Sequence, residues 1–218
     1  MMSNPDRVPA GSILEVDNAD IASRCLLCQF ASMASPSFHH GNLRAELISL
    51  AELEIESCGH AELSIRDLAS KLGVSRAAPY RHFENRAALL VALAERGLER
   101  LRESYAAARM RGSCPAERLR LACRSYLDFA SRQPEMFRLV FAGATLPVPV
   151  KQGDDSAFGI FEALVGEART LSDPVERRTA ALVCWSTIHG CAMLRLDQRL
   201  SRLAKVEEVE EAVLQAVV

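Results

Sequence analysis

The chain has 218 residues, of which 49% are hydrophobic and 25% charged, and its net charge is −2. That balance can bury a core and excludes disorder of the whole chain. No run of about 18 apolar residues occurs, so no membrane-spanning helix is expected, and the stretch before the apolar Cys25–Met33 segment is acidic where a secretory signal needs a cationic lead.

Residues 1–38 have weak periodicity and scattered Pro, Gly and Ser, and are expected to form a flexible extension. Met33 offers an alternative start within it. From Leu43 the pattern changes. Leu43, Leu47, Leu50, Ala51 and Ile55 recur at three- and four-residue spacing, which predicts an amphipathic helix closed by Gly59. Ser64 with Asp67 three residues on predicts the cap of a short helix that Gly73 ends. Ser75 predicts a second short helix ending near Phe83, and Asn85 caps a long one carrying Leu89, Leu90, Leu93, Leu98 and Leu101.

Beyond Gly112, Pro115, Pro134 and Pro174 each stand where a first helical turn begins. Gly143, Pro147, Pro149 and Gly153 mark a loop over 142–155, and a last helix is expected over 205–218. Strand signals are nearly absent, so the fold class expected is all-α. The division expected is one helical unit over 39–102 and a second helical unit over 103–218.

Seven cysteines, at 25, 28, 58, 114, 123, 184 and 191, are irregularly spaced and read as reduced, mostly buried thiols of a cytoplasmic protein. Cys25-x-x-Cys28 has no second pair at zinc spacing, so neither a metal nor another cofactor is expected.

The charge distribution says more than its sum. Residues 64–86 hold Arg66, Lys71, Arg76, Arg81 and Arg86 against Asp67 and Glu84, a basic window in a chain that is otherwise acidic or neutral. Two short helices around a glycine turn, with that charge, match the helix-turn-helix layout over 64–83. The second would present Arg76, Ala77, Ala78, Tyr80, Arg81 and His82 to a major groove. Arginine can donate two hydrogen bonds to guanine, and alanine admits close approach. Tyr80, His82 and Arg86 are the candidates for phosphate contact, with the free N–H groups at the helix starts capped by Ser64 and Asn85, and Arg66 and Ser75 are further DNA-binding candidates. Solvated charges for Arg66 and Arg81, a core aromatic for Tyr80 and a structural histidine for His82 remain the alternatives.

Residues 42–102 resemble the N-terminal domain of TetR-type (tetracycline-repressor-like) transcriptional regulators. The resemblance rests on Leu63–Ala69, Gly73-Val74-Ser75, Tyr80-Arg81-His82-Phe83 and Arg86–Leu90. Pro79 stands where the family more often has leucine, and Arg86 where it has lysine. More weakly, Tyr126-x-x-Phe129, Pro134-x-x-Phe137 and Trp185-x-x-x-His189-Gly190 are similar to a subgroup with a Trp…His-Gly C-terminal domain, as is the leader His39-His40-Gly41-Asn42. The resemblance implies a homodimeric regulator, a repressor, that binds palindromic double-stranded operator DNA and answers to a small-molecule effector.

Two readings stand for the C-terminal aromatics. Phe137, Phe141, Trp185, His189 and Met193 line a cavity for an apolar ligand, or they are core packing about a tight helix crossing at Gly190. The helices from Pro174 and Lys205 are expected to pair across a dimer interface, with Val206, Val209, Val213 and Val217 between subunits. A thiol-responsive regulator using Cys184 or Cys191, and a helical adaptor that binds no DNA, are the alternatives. No nucleophile elbow, phosphate loop or paired carboxylates point to an enzyme.

Overall fold

In the computed structural model, residues 42–141 and 153–218 are described. The N-terminal extension, Cys25-x-x-Cys28, the leader histidines and the expected loop as far as residue 152 lie outside them. Among the described residues eight α-helices follow one another: α1 (Leu43–Cys58), α2 (Ile65–Lys71), α3 (Arg86–Arg111), α4 (Pro115–Arg132), α5 (Pro134–Val140), α6 (Ala157–Arg169), α7 (Pro174–Leu196) and α8 (Val206–Val217). No strand occurs among the described residues, and no helix among them is long and apolar enough to cross a membrane.

The ends of these helices follow from local chemistry. The Gly59 N–H closes α1 on Ile55 O at 2.8 Å. Ser64 Oγ accepts from Asp67 N at the start of α2, and Asn85 Oδ1 accepts from Ala88 N at the start of α3. Pro115, Pro134 and Pro174 all open helices, where a missing N–H costs nothing. Asp173 Oδ1 adds two bonds, from Val175 N and Glu176 N, each at 2.9 Å. Helix α6 has no proline start. Ser156 caps it through Gly159 N, and a Cβ at Gly159 would stand 2.2 Å from Gly153 O.

Two apolar cores form. The first gathers Leu47, Ile55, Leu68, Phe83, Leu89 and Leu93 from α1 to α3. The second gathers Tyr105, Leu119, Tyr126, Phe161, Ile188 and Leu214 from α3, α4 and α6 to α8. Helix α5 is divided between them: Met136, Leu139 and Val140 belong to the first and Phe137 to the second. It lies so close to α3 that a Cβ at Gly97 would meet Val140 Cγ2 at 2.6 Å and Met136 Sδ at 3.2 Å.

Two expectations need correction. Residues 75–83 do not form an α-helix; they make a turn and then a 3₁₀ segment, Pro79–Arg81. The cause is Pro79, which has no N–H to give Ser75 O, so that carbonyl takes Ala78 N at 3.0 Å instead. Ser75 therefore serves through its backbone carbonyl and not as a side-chain cap. Gly190 is not at a close crossing within the chain, because nothing lies within 4 Å of where its Cβ would be. On α8, Val206, Val209 and Val213 pack half-buried against the core of their own subunit and Val217 is buried in it.

Candidate nucleic-acid interface and aromatic cluster

The head is built on α1 to α3. Helix α2 buries Ile65, Leu68 and Ala69, the chain reverses at Gly73 (φ +66°, open to glycine without strain), and Leu72, Pro79 and Phe83 complete the inner side. What faces out is polar. Arg66, Ser75, Arg76, Ala77, Tyr80, Arg81 and His82 are exposed, while Ser64 and Ala78 are half-buried. Tyr80 keeps 45% of its surface, so it is not a core aromatic. Arg66, Arg76 and Arg81 make no hydrogen bond or ion pair with a described residue. Elsewhere most arginines are engaged, as Arg109 is with Glu167 at 2.7 Å and Arg124 with Glu211 at 2.9 Å.

Arg86 is exposed and also has a structural tie: its Nε donates to Leu63 O at 2.8 Å and its Nη2 to Ala61 O at 2.7 Å and to His60 O. It ties the start of α3 to the 59–63 turn, just before α2. Two functional side chains escaped the sequence reading. Arg44 lies over the Phe83 ring at 5.3 Å and so pins α1 to the end of the motif. Glu56 reaches from α1 to cap α5, accepting from Met136 N at 2.8 Å and Glu135 N at 3.2 Å. Burial raises the Glu56 carboxyl above its usual range while those two N–H groups hold it down. No sequence pattern signals a cap delivered from about 80 residues away.

The C-terminal aromatics do come together. Phe137 stacks on the His189 ring with centroids 5.7 Å apart, and Phe141 lies 4.8 Å from Phe137 and 5.1 Å from His189. Trp185 follows at 5.4 Å from His189. Met193 is half-buried beside them on the same core. Three members lay outside that expected set, Tyr126, Phe158 and Phe129, the last 5.8 Å from Phe137. The Tyr126 hydroxyl is 2.7 Å from His189 Nδ1, and Phe158 lies 6.3 Å from Trp185. Burial depresses His189 below the ordinary histidine value and pushes the Tyr126 hydroxyl far up.

The five described cysteines are free. Cys184 is fully enclosed and donates to Val217 O at 3.5 Å. Cys191 is buried, which pushes its thiol up. Among the described residues no group of His, Cys, Asp or Glu is placed to hold a metal ion.

A short helix, a glycine turn and an outward basic segment on a three-helix base define a helix-turn-helix DNA-binding protein. Comparison with known proteins agrees at both ends of the chain. Residues 47–93 match the family described as bacterial regulatory proteins, tetR family, and residues 119–217 match the tetracyclin repressor-like C-terminal domain. A solved protein of unknown function from Rhodococcus sp. RHA1 is similar at 32% identity over 84% of this chain and 97% of that one, with a TM-score of 0.70. The TetR family transcriptional regulator PfmR from Thermus thermophilus shares the fold at 20% identity, over 78% and 96% of the two chains, with a TM-score of 0.54. So does a TetR-family regulator from Bordetella parapertussis 12822, at 14% identity over 82% and 95%, with a TM-score of 0.56. The chain belongs to the TetR family of bacterial transcriptional regulators. It is thus a ligand-modulated, DNA-binding regulator that works on operator DNA as a dimer.

Proposed function

We propose that the chain is a cytoplasmic repressor acting by binding and not by catalysis, in which residues 39–102 read a palindromic operator and residues 103–218 receive an effector and pair two subunits. Arg76, Ala77, Ala78, Tyr80 and Arg81 meet base edges and the nearer phosphates. Ser64, Arg66, Ser75 and His82 contact the backbone. The observation that carries this reading is the set of exposed guanidiniums on the motif, Arg66, Arg76 and Arg81, which no described carboxylate neutralises. Unpaired cations beside a protruding tyrosine suit a polyanion, whose bound counterions are released on contact.

The effector reading is supported by α5, which shares Phe137 with the aromatic cluster and Met136, Leu139 and Val140 with the head core. A ligand that separates the Phe137, Phe141, Trp185 and His189 rings displaces α5, and Gly97 and Glu56 hand that movement to α3 and α1. Release follows when the two reading heads no longer match half-sites about 34–36 Å apart.

A gel-shift titration of the DNA upstream of the protein's own gene tests the operator reading. Binding should weaken steeply with salt, and Arg76→Ala and Tyr80→Ala should each weaken it while the melting temperature holds. Wild-type affinity in both variants would overturn it.

A further inference from the structure

A crevice of about 280 Å³ opens between α3 and α4. Arg100 and Ser104 lie on its α3 side, and Ser125, Phe129 and Arg132 on its α4 side. The donors and acceptors there are unevenly used. Arg100 gives Nη2 to Glu52 of α1 at 2.7 Å, while its Nη1 is buried without a hydrogen-bond partner among the described residues. Arg132 is exposed and makes no hydrogen bond or ion pair with a described residue. The Ser104 hydroxyl hydrogen goes to Leu101 O at 2.7 Å and that of Ser125 to Ala122 O at 2.8 Å. Their two oxygens, 3.3 Å apart, are thus left chiefly as acceptors. Asp128 also lines the crevice and is exposed, so two guanidiniums stand against one carboxylate.

The complement of such a lining has an anionic end for the arginines, a hydroxyl to donate to the serine oxygens and a flat apolar body for Phe129. A volume just below the range for drug-sized ligands limits it to about ten non-hydrogen atoms. We propose that this crevice is a second small-molecule site, which adjoins the aromatic cluster where the Phe129 ring lies 5.8 Å from Phe137, and that it binds a small hydroxycarboxylic acid. The carboxylate lies on Arg100 and Arg132 and the hydroxyl on the Ser104–Ser125 pair. The Arg100 side chain is one-third exposed (34%), so its guanidinium can turn Nη1 toward the ligand. A carboxylate there competes with Glu52 for Arg100 and leaves Arg96, 2.8 Å from Glu52, as the remaining ion pair between α1 and α3 among the described residues. That consequence for DNA rests on the head reading given above; the binding itself does not.

The test is calorimetric titration of the full chain with 2-hydroxybenzoate, benzoate and 2-hydroxybenzamide. Saturable one-site binding of 2-hydroxybenzoate is expected, weakened about tenfold in Arg132→Gln and in Ser125→Ala, the size of one lost charge-assisted or neutral hydrogen bond. Benzoate should bind more weakly, the uncharged amide not measurably, and Arg111→Gln, an exposed arginine at the end of α3, should bind as wild type does. No saturable binding, equal affinity for acid and amide, or wild-type affinity in both Arg132→Gln and Ser125→Ala would each overturn the proposal. A protein that binds the acid but no DNA would sink the operator reading and leave the crevice standing; the reverse result would do the opposite.

Discussion

Arg86 shows how one side chain's partners change a functional expectation. From its place at the start of α3 it reads as a phosphate contact, yet its N–H groups are donated to the carbonyls of His60, Ala61 and Leu63. It positions the turn that leads into α2. Arg86→Ala should therefore lower stability by about 1–2 kcal/mol in urea titration and weaken DNA binding without changing the slope of log affinity against log salt. A direct phosphate contact would instead remove about one unit from that slope. His189 supports a second prediction at this scale. Burial keeps its folded value below 6.5, so above that pH the ring is neutral folded or unfolded and the stability is fully present. As pH falls below about 6.5 the unfolded chain binds the proton first, and stability drops until the folded value is passed. Stability measured between pH 7 and 5 should fall less in His189→Phe; equal slopes would remove His189 from the account.

At the scale of helices, starts and stops were the legible part. Ser64, Asn85 and the three prolines act within four residues of themselves, so their neighbours in sequence are their neighbours in space. Helix α6 was missed because its cap, Ser156, follows a glycine- and proline-rich run that reads as continuing loop. The motif's outward residues were legible for the same local reason, whereas the 3₁₀ form of Pro79–Arg81 turned on a single absent N–H. The partners of α5 were not legible at all, since Glu56 and Gly97 reach it across long stretches of chain. Those contacts set a prediction. Gly97→Ala places a methyl against Val140 and Met136 and should cost about 1–3 kcal/mol, while Glu56→Ala uncaps α5 at a cost of about 0.5–2 kcal/mol. Because both act on α5, the double variant measured by denaturant unfolding should lose less than the two single losses combined. Strict additivity would mean that the cap and the crossing do not hold the same helix.

For the whole molecule, the question is which surface meets the second subunit. Helix α8 packs Val206, Val209 and Val213 half-buried on its own core and buries Val217, which leaves less of them to a partner than the sequence pattern suggested. Helix α7 keeps an outward stripe. Val183 is 58% exposed and Leu194 41%, and between them, at helical spacing, come Thr187 and Gly190, with open space where a Gly190 side chain would go. Large apolar side chains flanking a glycine are what a close crossing of two copies of α7 about a two-fold axis requires, each surface meeting its own copy. A single reading head would make too few base contacts for useful specificity, so the stripe and the operator depend on one another. Gly190→Leu separates the two roles. Inside the subunit the added side chain meets nothing and replaces a poor helix former, so the melting temperature of the isolated subunit should hold or rise slightly. Between subunits it fills the crossing. Light scattering coupled to size exclusion should then report monomer where the wild type is dimer, and operator affinity should fall although every DNA-facing residue is intact. A Gly190→Leu protein that remains dimeric and binds its operator normally would move the interface off this face of α7.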